Sequence, residues 1–279
     1  MKVLEAIKSG SKMLKEKNIH TNILDSEILL SKCLNTSREK MLINSEQKIN
    51  KRALADFNEY LIRRSKREPI AYLLGEKEFW SKKFLVNKDT LIPRPETELL
   101  VEKLITIYKK KRINVLDIGT GTGCIILSIL SELKDSTGIA VDISSKAIVV
   151  AKKNAYKFKS FDRIKFINKS FEDLYGKKFD LIVSNPPYIK RNDIKNLSDD
   201  IKKFEPRMAL DGGNDGLDLT KKVIYKSKEI LKINGTLALE ISNEQINKVS
   251  KILIDNKFVI KCVVKDYKKN VRCIFAEYK

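Results

Sequence analysis

Histidine is all but missing from this 279-residue sequence, for His20 is the only one. A histidine-based catalytic triad would have to use it, and it sits in a Lys- and Asn-rich stretch that reads as a surface turn between helices. Cysteine is scarce too. Cys33, Cys124, Cys262 and Cys273 form no Cys-x-x-Cys pair, so a Cys/His zinc site lacks neighbouring ligands and reduced thiols are expected. Long hydrophobic runs are lacking, and Lys and Glu interrupt the first twenty residues, which excludes a membrane span or a signal-peptide core. The reading is a cytoplasmic protein that needs no metal and no membrane. Neither an internal repeat nor a low-complexity segment occurs.

What is abundant is lysine. The formal charge is +20, which would steer an acidic partner or nucleic acid toward the protein. The lysines are spread along the chain and fall mainly on the polar sides of helices, so a solvated surface accounts for most of them. Apolar residues at 42% and charged residues at 33% place the chain among soluble globular proteins, long enough for a catalytic domain and a smaller appendage.

Residues 1–68 carry helical spacing in Leu4, Ile7 and Leu14, in Leu24, Ile28 and Leu29, and in Ala53, Leu54, Phe57 and Leu61. A small helical domain is expected, with a short extra helix opening at Ser37. Glu68-Pro69 ends its last helix, because the residue before proline is pushed from helical geometry. Residues 69–90 read as a β-hairpin linker, two strands over 70–86 with Gly75 at or near the turn. Residues 91–279 make the larger domain, in which from Leu99 onward short β-rich runs alternate with amphipathic helices, the sign of a parallel sheet covered on both faces. Seven strands are predicted, over 114–119, 138–143, 164–170, 179–184, 235–241, 258–265 and 273–278. The link between the last two has no room for a crossover helix, so the last strand should be antiparallel. The fold class is therefore α/β, with a Rossmann-like sheet and an N-terminal helical domain.

The first of these strands runs into Gly119, Thr120, Gly121, Thr122 and Gly123 and then a helix. The glycines let backbone turn tightly and approach a ligand. Asp117 precedes the turn, and Asp142 ends the next strand nineteen residues after Gly123, where a carboxylate can take both hydroxyls of a ribose. This pattern alone does not separate nicotinamide cofactors from S-adenosylmethionine. The fourth strand does, since it delivers Asn185, Pro186, Pro187 and Tyr188 at its carboxyl end, where open α/β sheets bind ligands. A planar amide or amino nitrogen is a poor nucleophile and must be aimed by acceptors for its two hydrogens. The Asn185 side-chain oxygen and the Pro186 carbonyl can supply them, the prolines stiffen the loop, and Tyr188 can stack on the planar group.

Here the sequence resembles the Asn-Pro-Pro-Tyr methyltransferases of planar nitrogens. REPIAYLLGEKEFW at 67–80, LIPRPETE at 91–98 and EPRMALDGGNDGLD at 205–218 make it similar to the release factor glutamine methyltransferases, the HemK or PrmC family. The resemblance covers residues 60–279, the first sixty matching only in length and helical character. It implies that Gly119, Thr120, Gly121, Thr122, Gly123 and Asp142 hold S-adenosylmethionine, with Phe171 against the adenine, although Ser170 stands where relatives often have an acid. It implies that Asn185, Pro186, Pro187 and Tyr188 bind the glutamine of a Gly-Gly-Gln tripeptide in peptide chain release factors, with Asn185 also close to the donor. A monomer acting without nucleic acid is expected. Phe171 can equally be a core residue. Pro95, Glu96 and Glu98 suit a helix start, and Arg94 either organises the site entrance or serves in capping or a salt bridge. Asp211, Gly212 and Gly213 either shape the pocket or form a loop before a helix near Gly216. Three rivals stay open: an adenine methyltransferase, which needs a base-reading domain that no insertion after Tyr188 supplies; a sister glutamine enzyme acting on a ribosomal protein; and a silent cofactor-fold binding module.

Overall fold

The structure, a computed structural model, describes residues 1–176 and 178–279. These residues form two compact units. Residues 1–76 and 198–204 make the first, and residues 77–197 and 205–279 the second.

The first unit is built from α1 (Val3–Glu16), α2 (Asn22–Cys33), α3 (Arg38–Ile43), α4 (Lys51–Ser65) and α5 (Ile70–Leu74). Ser37 caps α3 by accepting the Lys40 N–H, and Asn50 caps α4 by accepting that of Ala53. The buried stripe of α1 is Val3, Ala6, Ile7, Gly10 and Leu14, packed with Leu29, Leu30, Phe57 and Leu61. Leu4 and Leu24 lie exposed outside it. Fully burying one such aliphatic side chain contributes about 1.5–3 kcal/mol. Arg64 is buried here with Asp25, whose Oδ2 accepts its Nε–H at 2.7 Å, and Asp200 Oδ2 accepts from its Nη1 at 2.8 Å.

Residues 70–74 are helical rather than extended, and Gly75 is the left-handed cap of α5 instead of a hairpin turn. The hairpin follows, as β1 (Glu76–Phe79) and β2 (Lys82–Leu85), turning through Trp80 and Ser81. Both have positive φ, 51° and 54°, the mirrored two-residue turn that matches strand twist. Pro before α5 fixes only one φ, and five apolar residues in a row carry no period-2 signal, so the strand expectation there had no alternation behind it.

In the second unit α6 (Glu98–Tyr108) is followed by β3 (Asn114–Ile118), α7 (Cys124–Glu132), β4 (Thr137–Asp142), α8 (Ser145–Lys157), β5 (Ile164–Asn168) and β6 (Phe179–Ser184). The chain passes through α9 (Asp199–Phe204), which lies with the first unit, and returns to α10 (Asp218–Ile230), β7 (Leu231–Glu240), α11 (Ile246–Asp255), β8 (Phe258–Lys265) and β9 (Val271–Tyr278). Among the described residues the sheet has seven strands in the order β5-β4-β3-β6-β7-β9-β8. All neighbours are parallel except β9, antiparallel to both β7 and β8. Apolar clusters cover both faces, one with Leu104, Ile126, Leu181 and Phe275, the other with Leu116, Ile182, Val223 and Leu239. The strand order reverses at β3 and β6, which places the crevice for a ligand at their carboxyl ends. Among the described residues, no helix is long and apolar enough to cross a membrane.

Candidate active site

The glycine turn is pinned to the neighbouring strand, for the N–H groups of Gly119 and Thr120 both donate to the Val141 carbonyl. Gly119 takes φ +72°, and a Cβ there would meet nothing within 4 Å, so its bare face looks onto open cleft. Asp142 is held by backbone alone. Its Oδ2 accepts the Gly121 N–H and its Oδ1 the Ser144 N–H, both at 2.9 Å. Burial raises its pKa above the ordinary carboxylate value. Each oxygen keeps a lone pair for a further donor.

One cleft is lined by Gly119, Gly121, Asp142, Phe171, Asn185, Pro186 and Pro187, together with Ile143, Ala147 and Leu219. A carboxylate beside an open glycine face, with apolar walls, fits a nucleoside-bearing group: acceptors for ribose hydroxyls and flat apolar surface for a purine. Phe171 is a core residue, 6% exposed in the cluster that includes Ile139 and Val141, and it also lines the cleft wall. Thr120, Thr122 and Gly123 support the turn from beneath. Thr120 is buried with its hydroxyl donating to Asp117, the Thr122 carbonyl accepts from Asn154, and a Cβ on Gly123 would come within 3.0 Å of Leu127. Asp117 itself is buried under the turn, with no hydrogen-bond partner for Oδ1 among the described residues and a pKa pushed up to about 7 by burial.

The acceptor side is assembled from distant segments. Ser184 ties the end of β6 to β3 through the Ile118 carbonyl at 2.8 Å. Beyond it the Asn-Pro-Pro-Tyr loop runs alongside the stretch before α10, with the Ile189 N–H donating to the Leu210 carbonyl and the Gly212 N–H to that of Ile189. A Cβ on Gly212 would sit 2.6 Å from the Pro187 carbonyl oxygen. The glycine of this motif is therefore set by close backbone approach to the Asn-Pro-Pro-Tyr loop, while Asp211, Gly212 and Gly213 are not among the residues that line the cleft. Gln245 secures it further, donating to the carbonyls of Tyr188 and Gly216.

LIPRPETE supplies both a helix start and site contacts. Pro95 opens a tight turn, Pro95–Thr97, that leads into α6. Arg94 makes the salt bridge, 2.5 Å to buried Glu205, which also accepts the Ile92 N–H. Two motifs 111 residues apart are thus fastened to each other. Thr97 reaches the acceptor loop. Its hydroxyl donates to Glu240 Oε2 at 2.6 Å and accepts from Asn185 Nδ2 at 3.3 Å. Tyr188, partly buried, donates through its hydroxyl to Glu240 Oε1 at 3.4 Å, and burial followed by the Glu240 charge raises its pKa. Tyr188 stands behind the loop instead of on the cleft wall.

Glu240 and Gln245 were not identified from sequence, and Thr97 and Glu205 lay inside recognised motifs without a role assigned to them. A signal existed for Glu240, an acid ending the apolar run of β7 at the sheet's ligand-binding edge.

Residues 5–75 match the family described as PrmC N-terminal domain, and residues 95–203 match the methyltransferase small domain. The first match carries the likeness into the first sixty residues, beyond length and helical character. A release factor glutamine methyltransferase of Clostridium acetobutylicum is 39% identical, covering 99% of this chain and 98% of the relative; one from Fusobacterium nucleatum is 37% identical over 98% and 78%. A bifunctional methyltransferase of Rickettsia bellii is 37% identical, but the chain spans only about half (53%) of its length. Among solved structures, a ribosomal protein L11 methylase from Lactobacillus delbrueckii (TM-score 0.51, 20% identity, 67% of this chain and 81% of that one) and a methyltransferase from Pyrococcus furiosus (0.53, 16%, 70% and 87%) share the fold. A relative of that name, 39% identical and matched over almost the whole of both chains, together with motifs at 91–98 and 205–218 that contribute to one cleft, gives the assignment: the chain belongs to the release factor glutamine methyltransferase family.

Proposed function

We propose that the protein moves a methyl group from S-adenosylmethionine to the side-chain amide nitrogen of the glutamine in the Gly-Gly-Gln motif of bacterial-type release factors, acting in translation termination. The observation that carries this reading is the pose of Asn185. Its NH2 group is taken up by Thr97, which leaves its oxygen as the free end of the amide at a cleft it lines. An acceptor in that place, with the Pro186 carbonyl beside it in sequence, suits an incoming NH2 group and repels a carbonyl or carboxylate.

S-adenosylmethionine supplies the electrophilic methyl group. Asp142 takes the ribose hydroxyls, Gly119 and Gly121 give it unobstructed backbone, and Phe171 walls the purine. Asn185 and Pro186 would hold the glutamine nitrogen, which gains the methyl group as the carbon–sulfur bond of the donor breaks and S-adenosylhomocysteine leaves, one proton passing from the nitrogen to water. Positioning of this kind can contribute roughly 7–11 kcal/mol to lowering the barrier when alignment is good. Support for the protein substrate comes from the relatives' names and from the LIPRPETE motif that joins the site.

The test is incubation with labelled donor and either release factor or DNA, followed by location of the label. Methylglutamine within Gly-Gly-Gln is expected. Methyladenine would replace this reading by the nucleic-acid one, and label on a ribosomal protein alone would replace it by the sister enzyme.

A further inference from the structure

Glu240 is 2% exposed, ends β7 behind the Asn-Pro-Pro-Tyr loop, and touches neither the cleft nor solvent. A carboxylate so placed costs desolvation energy, and since it does not line the cleft it is not placed to take the proton that the glutamine nitrogen gives up. We infer that Glu240 is a positioning residue that works through Thr97, deciding which end of the Asn185 amide faces the acceptor cleft. This rests on the function proposed above.

The argument is one of hydrogen counting. The Thr97 hydroxyl has one hydrogen and accepts with its lone pairs. With Glu240 ionised, that hydrogen must go to the carboxylate, as the 2.6 Å separation indicates. Oγ1 is then only an acceptor toward Asn185, so the amide must present NH2 to Thr97 and its oxygen to the cleft. With Glu240 protonated, the carboxyl can donate to Thr97 instead. The threonine hydrogen turns to Asn185, the amide rotates to offer its oxygen to Thr97, and NH2 enters the cleft. Two facing NH2 groups cannot bond, and the glutamine loses its aim.

The charge on Glu240 is poised for such control. Burial pushes its pKa up to about 7, against the hydrogen bond from Thr97, the positive charge of Arg272 on β9 and the hydroxyl of Tyr188, and with the negative charge of Glu96. Cys273 on β9 and Cys124 on α7 also feel its charge, and burial raises both thiols.

The test uses the full-length protein with release factor as methyl acceptor. Wild-type kcat is expected to rise with pH through an ionisation near neutrality. Glu240→Gln, whose amide can donate to Thr97 as the protonated acid does, should lose that limb and fall on the order of 10²-fold in kcat, with donor affinity by calorimetry unchanged. Thr97→Val should fall equally, Thr97→Ser should recover most of the loss, and the double variant should be no worse than either single one. A purely structural Glu240 would lower thermal stability while leaving the pH limb in place. Near-normal kcat in Thr97→Val, or an unchanged limb in Glu240→Gln, overturns the inference.

A second readout needs no turnover. In the labelled wild-type protein the Asn185 side-chain 15N resonance should follow the titration of the Glu240 carboxyl carbon, and should cease to follow it in Thr97→Val. Independence of the two signals in the wild type refutes the relay. If the wild type instead methylates another acceptor, the substrate reading fails while the variants, assayed on that acceptor, still decide the relay.

Discussion

The two sides of the cleft are built by different means. The cradle at Gly119 to Gly123 and Asp142 is made of one stretch of chain and the strand beside it, and its contacts are backbone groups: Val141 carbonyl, Gly121 N–H, Ser144 N–H. The acceptor corner draws on segments far apart in sequence, with Thr97 and Glu240 separated by 143 residues and Asn185 and Thr97 by 88. The cradle presents only glycine backbone and one carboxylate to the cleft, with Thr120, Asp117 and Asn154 supporting it from beneath. The corner needs side chains that each hold another in one orientation, so a single replacement there disturbs several groups.

That contrast can be broken experimentally. The largest effect is expected from Asn185→Ala, which removes the aiming oxygen: kcat should fall by roughly 10²–10³-fold, in line with loss of one preorganised hydrogen-bonding group, while calorimetric donor affinity stays as it was. If donor binding falls in parallel, the two sides are not separate. Asp142→Ala should do the converse, weakening donor binding by about 1–3 kcal/mol through loss of charge-assisted hydrogen bonds, with little change in KM for the release factor. Unaltered donor affinity in titration would remove Asp142 from the cradle.

Gly212→Ala tests whether the corner depends on backbone approach. Its Cβ would lie 2.6 Å from the Pro187 oxygen and 2.8 Å from that of Gly216, so the acceptor loop must shift. A drop in turnover of about tenfold, equivalent to about 1.4 kcal/mol, is expected without change in donor affinity; full turnover in steady-state assays would show that the loop tolerates movement. His20→Gln is the null of the series. His20 is exposed, and activity and melting temperature should stay within about 0.5 kcal/mol of the parent. A lost pH limb in that variant would bring imidazole into the chemistry.

The same contrast explains what could be read from the amino acids. The strands over 179–184 and 258–265 were legible to the residue, because continuous apolar runs and the β8–β9 link leave little choice. Asn185 and the glycine turn were legible because their chemistry is contiguous. Thr97 lay inside a motif already singled out, yet its role depends on Glu240, and no local pattern announces a partner on another strand. The helix at 70–74 was missed because a five-residue apolar stretch has no distinguishing period, and the turn at Trp80-Ser81 because neither residue is a customary choice for positive φ.

The short helix α9 has a practical consequence for anyone dissecting the protein. The polypeptide departs from the catalytic unit after residue 197, contributes Asp200 to the buried Arg64 pair, and comes back at residue 205. A truncation at residue 76 therefore does not free one domain from another; it deletes most of a unit and leaves behind a fragment whose acid has lost its counter-ion. Clean separation calls for two excisions, with a bridging linker in place of residues 198–204.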